Sequence, residues 1–271
     1  MTLLKAVILG IIQGLTEFLP ISSSGHLVIF QNLLQTSGDS DFIFDTALHF
    51  GTLIAIIIFF MPKIRKLIKS FFKLIKLIFK RKLSQALKES DIKLLLLIIA
   101  ASVPTAIIGL LLGSTVQKLF GSVKITGIML IITGVILWLT KYIKNNKSDI
   151  EKFGFKKALL IGTAQGLAVI PGISRSGSTI SAGLFLGIKP EVCAEFSFLL
   201  SIPAILGAQI VSLTNFNYQM LPFKMIAAGS FAAFVSGYIA LVFLMKIVNK
   251  GKFYYFAPYC WIIGILAFLK F

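Results

Sequence analysis

Two short stretches of this chain hold the residue types that chemistry needs. The first runs Gln13-Gly-Leu-Thr-Glu17-Phe-Leu-Pro-Ile-Ser22-Ser23-Ser24-Gly25-His26. From Glu17 onward it sets a carboxylate, three hydroxyls and an imidazole within ten residues. Gln13 and Glu17 are four apart and share a helix face, and Pro20 then breaks the helix. Such a set suits nucleophilic or general acid–base attack, with His26 as base, nucleophile or orienting donor. The second stretch runs Pro171-Gly-Ile-Ser174-Arg175-Ser176-Gly177-Ser178-Thr179. Its glycines let backbone approach a ligand closely, and Ser174, Ser176, Ser178 and Thr179 add hydroxyls. A helix starting here offers N–H groups to an anion, and Arg175 is a positive fork suited to phosphate. Arg175 equally suits neutralising a buried Glu17, and a resting pair of that kind can open for a ligand.

Other polar residues are expected to do less. His49 lies in an apolar run and reads as a satisfied core histidine. Asp45, one turn earlier, is a candidate second carboxylate near a metal. Mg2+ or Ca2+ takes oxygen ligands, often one or two carboxylates plus substrate phosphates, and Glu17 suits that use. Glu195 is expected to position the second loop by bonding its hydroxyls. Cys193 and Cys260 are far apart and carry no disulfide or zinc signal.

The elements that must position these residues are membrane helices. Hydrophobic residues make up 57% of the 271, well above the about 45–50% usual in soluble domains, and lie in long, nearly uncharged runs. The expected fold is all-α, a single polytopic membrane domain. Six runs are long enough to span: about 43–61, 92–113, 122–141, 194–214, 223–246 and 254–271. Residues 3–36 and 157–189 are interrupted by Pro20 with Ser22–Gly25 and by Pro171 with Ser174–Gly177. Each half is too short to cross, so both regions read as re-entrant helical hairpins. Irregular backbone at membrane depth must be buried in protein or line a wet cavity. The N-terminal run, broken by Gln13, Glu17 and Pro20 and followed by no cleavage site, is expected to stay in the mature fold.

The net charge of +17 would suggest nucleic acid in a soluble protein. Here the cations gather between apolar runs, 21 of the 27 Lys and Arg on one side of the six-span plan. That marks the cytoplasmic side, and no nucleic-acid partner is implied. Both termini then lie outside, the first hairpin enters from outside and the second from the cytoplasm. Residues 63–82 alternate Lys or Arg with an apolar stripe and read as an interfacial amphipathic helix on the anionic inner leaflet.

The chain also repeats itself. Gly10-Ile-Ile-Gln13-Gly14-Leu15 matches Gly162-Thr-Ala-Gln165-Gly166-Leu167, and Ile21-Ser-Ser-Ser-Gly25 matches Ile173-Ser-Arg-Ser-Gly177, both at one constant offset. Repeat 1 covers about 1–143 and repeat 2 about 157–271. Each holds one hairpin and three spans, so the second inserts upside down, with a site expected where the repeats meet.

The two motifs, with Glu195-Phe-Ser-Phe-Leu, resemble the signatures of the undecaprenyl-diphosphatase family, also called bacitracin-resistance proteins, and the similarity runs along the whole chain. The resemblance implies a bacterial inner-membrane phosphatase. It would convert undecaprenyl diphosphate to undecaprenyl phosphate and phosphate, recycling the lipid carrier of cell-wall synthesis. It also implies a divalent cation, Mg2+ or Ca2+, near Glu17 and a site open to the outer face. Carried over residue by residue, Glu17, Ser23, His26 and Arg175 are expected in the chemistry. Gln13, Ser22, Ser24, Ser174, Ser176, Gly177 and Thr179 are expected around the substrate. Gln13 stands where many members have glutamate, which removes one charge from the metal site. Ser23 is taken as nucleophile, with His26 or an activated water as the alternatives. A homodimer is admitted but not required. A transporter or flippase of a lipid phosphate or small anion is the competing reading: it would use the same arginine and hydroxyls but has no need of a Glu–Ser–His set.

Overall fold

The computed structural model describes residues 1–36, 41–80, 82, 85, 88–143, 148–150, 153–214, 222–249 and 251–271. Its first half holds α1 (Leu3–Phe18), α2 (Ser23–Leu33), α3 (Asp41–Phe59), α4 (Met61–Phe79), α5 (Ser90–Phe120) and α6 (Val123–Leu139). Its second half holds α7 (Phe155–Leu167), α8 (Arg175–Phe185), α9 (Pro190–Thr214), α10 (Phe223–Asn249) and α11 (Ala257–Lys270). The described residues form no sheet, only a single parallel bridge between Ser148 and Ile188. The all-α membrane architecture is as expected.

Five stretches are long and apolar enough to cross a bilayer: Ser90–Gly113, Val123–Tyr142, Pro190–Val211, Phe223–Val248 and Phe253–Lys270. They correspond to five of the six expected spans. The sixth, expected at 43–61, is α3, which meets that test only together with α4 across a bend of 82°. The bend has a local cause, because Pro62 sits in the first turn of α4 and has no N–H to continue the α3 ladder. Large apolar side chains such as Leu110, Leu111, Ile210, Phe231 and Leu269 stand exposed on the outside of the bundle. Water would not tolerate that surface, but lipid does.

The helices pair across the two halves. Helix α1 packs along α10, and α7 packs along α5. Helix α6 packs along α11. In order within its half, α7 is the counterpart of α1, α10 of α5, and α11 of α6, so the pairing is reciprocal. Small residues let these helices approach closely: Gly10 lies on the Gly229 carbonyl, Gly162 on that of Ala101, and Gly127 on that of Gly264. Helices α2 and α8 both lean on α6. Phe18, Phe60 and Phe198 pack edge-on or tilted beneath them as a buried floor.

Candidate active site

The two polar loops are built alike and touch. Ser22 Oγ accepts from Gly25 N at 3.3 Å and caps α2. Ser174 Oγ accepts from Gly177 N at 3.0 Å and caps α8. In each loop the capping hydroxyl also lies 3.3 Å from that of the serine two residues on, Ser24 or Ser176. The loops then bond one another: Ser22 Oγ donates to the Ile173 carbonyl at 3.3 Å, and Ser176 Oγ to that of Leu19 at 3.4 Å. Where they cross, a side chain on Gly25 would meet the Cα of Gly172 at 3.0 Å. Gly172 itself has φ of 95° and is anchored by Thr133, whose hydroxyl donates to its carbonyl at 2.9 Å. Ser22 holds φ of 69°, a conformation costing a non-glycine residue about 1–3 kcal/mol and concentrated at functional sites.

This frame delivers one position from each loop, Ser23 and its repeat counterpart Arg175, to the same carboxylate. Ser23 Oγ donates to Glu17 Oε2 at 2.6 Å. Arg175 Nη2 donates to Glu17 Oε1 at 2.6 Å. Gln13 Nε2, one turn back on α1, donates to Oε2 at 3.0 Å. His49 Nε2, from α3, lies 3.6 Å from Oε2. Glu17 is buried, which would be costly for a lone charge, and this ring of donors answers the cost. Two ring atoms remain open: Arg175 Nη1 and Gln13 Oε1 are buried without a hydrogen-bond partner. An unspent guanidinium N–H beside a hydroxyl-and-carboxylate pair is suited to a phosphate oxygen.

The other expected residues sit around this centre in supporting positions. His26 Nδ1 lies 2.8 Å from the Ser22 carbonyl, which can only accept, so Nδ1 carries hydrogen. Its Nε2 faces the Tyr259 hydroxyl at 2.9 Å, with the two rings stacked. Thr179 donates to the Arg175 carbonyl at 2.8 Å and pairs with Ser197 Oγ at 2.6 Å, bracing the turn that carries the arginine. Ser22, Ser174, Ser176 and Gly177 are buried in the caps, and Ser24 is half-buried beside them.

Three residues of this site escaped the sequence. His49, expected in the core, has a side chain 30% exposed and reaches Glu17. An ionisable side chain in an apolar span was a signal in its own right. Tyr259 lies in a helix with no motif around it, and Ser197 lies inside the Glu195-Phe-Ser-Phe-Leu stretch, where attention went to Glu195. Glu195, expected to bond the loop hydroxyls, pairs with Lys63 at 3.0 Å instead, because its carboxylate lies beside α4 and α5. Asp45 Oδ1 accepts from Gln31 at 2.7 Å. Among the described residues no three His, Cys, Asp or Glu side chains converge as a metal cage. The donors fit a hard cation only in a shared form: the Glu17 carboxylate and the unpartnered Gln13 Oε1, completed by phosphate oxygens of a substrate.

Comparison with known proteins decides the family. The model for bacitracin resistance protein BacA matches residues 6–266. This chain belongs to that family. It is 46% identical to an undecaprenyl-diphosphatase of Desulforapulum autotrophicum, covering 99% of this chain and 98% of the relative. A protein of the same name from Halothermothrix orenii is 44% identical over the same shares, and one from Methanobrevibacter smithii 40%.

Proposed function

We propose that this chain is a membrane phosphatase that hydrolyses undecaprenyl diphosphate to undecaprenyl phosphate and phosphate, recycling the lipid carrier and so conferring bacitracin resistance. The observation that carries the reading is a single carboxylate, Glu17, shared by a hydroxyl at 2.6 Å and an arginine at 2.6 Å whose second nitrogen is unspent. A carrier of anions needs the arginine but not a serine poised on a base.

In the proposed reaction, Arg175 takes the terminal phosphate and holds it in line with Ser23. Ser23 Oγ bonds to phosphorus while its proton passes to Glu17 Oε2. The bridging P–O bond breaks, and its electron pair leaves on undecaprenyl phosphate. Water then cleaves the Oγ–P bond and releases phosphate, with Glu17 returning the proton to Ser23. Charge on the transferring group is met by Arg175, at a site where water is largely excluded. A cation held by Glu17 and Gln13 would supply Lewis-acid neutralisation of the phosphate oxygens when bound. His26, held by Ser22 and Tyr259, shapes the rim of α2 next to the nucleophile.

The bilayer placement belongs to the same proposal. Helices α1–α2 and α7–α8 are re-entrant hairpins entering from opposite faces of the bacterial inner membrane. The site opens to the outer face, and α4 lies on the anionic inner leaflet. Purified protein in detergent, given a C15 or C55 prenyl diphosphate with Mg2+ or Ca2+, should release phosphate. Ser23→Ala and Glu17→Ala should each release it at least about a hundredfold more slowly. Unimpaired turnover by Ser23→Ala would leave water or His26 as the attacking group. No release by the wild-type protein under any cation condition would favour transport.

A further inference from the structure

The first loop leans on α11, a helix of the second half that carries none of the reacting groups. Tyr259, in the first turn of α11, places its hydroxyl 2.9 Å from His26 Nε2. Its ring stacks on the imidazole, with centroids 5.7 Å apart and planes 7° from parallel. A phenol hydroxyl can donate or accept, so this contact holds whichever way the imidazole carries its protons. The next residue, Cys260, is buried with its Sγ 3.7 Å from the Pro20 carbonyl. Helix α11 therefore touches the chain on both sides of Ser22 and Ser23.

What Tyr259 holds matters because of the backbone at Ser22. His26 is buried and bonds the loop twice at one atom: its backbone N donates to the Ser22 carbonyl at 3.1 Å, and Nδ1 donates there at 2.8 Å. That carbonyl belongs to the residue with φ of 69°. A non-glycine residue persists in such a conformation only where its surroundings over-determine it. Here the Ser22 hydroxyl is fixed by Gly25 N and the Ile173 carbonyl, and the Ser22 carbonyl by His26. The peptide that follows carries Ser23, whose Oγ reaches Glu17 Oε2 at 2.6 Å. The torsion that turns a histidine ring is broad and soft. Nδ1 stays on the Ser22 carbonyl only while something else holds the ring, and Tyr259 does so twice, by a bond at the far nitrogen and by stacking on the face. With both ring nitrogens engaged, His26 reaches Ser23 through the backbone.

We infer that Tyr259 is a positioning residue for the nucleophile: it fixes the His26 ring, which fixes the Ser22 carbonyl and keeps Ser23 aimed at Glu17. The inference rests on the phosphatase reading above. Tyr259 is 41% exposed, so removing its hydroxyl takes little from the core. What is lost is the partner of a buried imidazole nitrogen. A ring free to swing lets Ser22 relax toward an ordinary conformation and carries Ser23 off its line. A displacement of about 1 Å at a reacting atom can cost about a hundredfold in rate, and losing one of two restraints on the ring should cost less.

The test uses full-length protein in detergent with a C15 prenyl diphosphate, reading kcat, KM and the melting midpoint for wild type, Tyr259→Phe, His26→Ala and the double variant. Tyr259→Phe keeps the stacking and deletes the hydroxyl. It should lose about tenfold in kcat, with KM within about twofold and melting close to wild type. Because Tyr259 acts through His26, adding Tyr259→Phe to His26→Ala should change kcat by less than about twofold. Wild-type kcat in Tyr259→Phe would overturn the inference. So would a loss confined to KM, which would mark a contact with bound substrate, or losses that multiply in the double variant. If His26→Ala turns over too slowly to measure, or Tyr259→Phe does not elute as one folded species, Tyr259→Leu decides, since it removes both bond and stacking. A kcat loss of more than about tenfold with KM held supports the role, and a smaller loss refutes it. Absence of phosphate release by wild type is a separate failure, since it sinks the phosphatase reading and this inference with it.

Discussion

At the scale of single residues, Arg175 has the most sharply defined role. It is planar and positively charged, with one nitrogen on Glu17 and the other buried without a partner. A lysine can replace the charge but not the fork, since one ammonium cannot grip carboxylate and phosphate in a fixed plane. Arg175→Lys is therefore expected to retain folding yet lose about a hundredfold in kcat/KM, and Arg175→Ala about a thousandfold, measured as phosphate release. Wild-type activity in Arg175→Lys would remove the clamp from the mechanism. Thr179→Val tests bracing at one remove: it deletes the bonds to the Arg175 carbonyl and Ser197 while preserving shape. A loss of about three- to tenfold, without any change in substrate range, is expected from a slightly loosened arginine. Most of these residues were legible in the sequence because polar groups stand out in apolar runs. His49 was misjudged because periodicity shows that a residue lies in a span, not which neighbour it meets. Its partner, Glu17, is 32 positions away on another helix.

Among the elements, the loops carry the strain and the precision. Gly172 combines φ of 95° with the Thr126 carbonyl and the Met129 side chain where a Cβ would go. Gly172→Ala must relieve both conflicts, so the loop has to move. A cost of about 2–3 kcal/mol is expected, seen as a lower midpoint in detergent melting, with activity falling further than stability alone explains. If Gly172→Ala melts and turns over like wild type, the crossing of the loops is not the constraint on the site. The loops were visible beforehand as a repeated motif with proline and serine breaks. Their junction was not, because the bonds from Ser22 to Ile173 and from Ser176 to Leu19 join backbone groups that any residue supplies. Helix α4 illustrates the opposite case. Its pattern predicted its existence, and the structure adds the bend of 82° and the Lys63 contacts to Glu195 and Asp91 that fix its direction.

For the whole molecule, the question is which end of the bundle faces which side of the membrane. The groups that charge counting assigns to the cytoplasm do meet one another in space. Lys63 joins Asp91 and Glu195, Lys73 joins Glu89, and Lys189 joins Asp149, linking α4, the start of α5, the start of α9 and the segment before α7. Lys141 lies over the Trp138 ring, which packs on Tyr254, an aromatic and cationic edge of the kind found at membrane interfaces. Apart from Lys73, midway along α4, and Glu195, in the second turn of α9, these sit at or near α-helix ends that an inverted arrangement would bring to one face. The α5–α6 turn, with Lys124 just beyond it, must then lie on the other. The two native cysteines are buried and should stay silent to an impermeant maleimide, which makes the arrangement directly measurable. In intact cells a cysteine at exposed position 124 should label, and one at exposed position 66 on α4 should label only after the membrane is opened. Labelling of both from outside, or the reverse order, would overturn the orientation and with it the outward opening of the site. The pattern expected instead fixes the first hairpin, with Glu17 and Ser23, as the one entered from the outer face. It leaves the second to bring Arg175 up from below, so that the carboxylate–arginine pair spans the contact between the two halves.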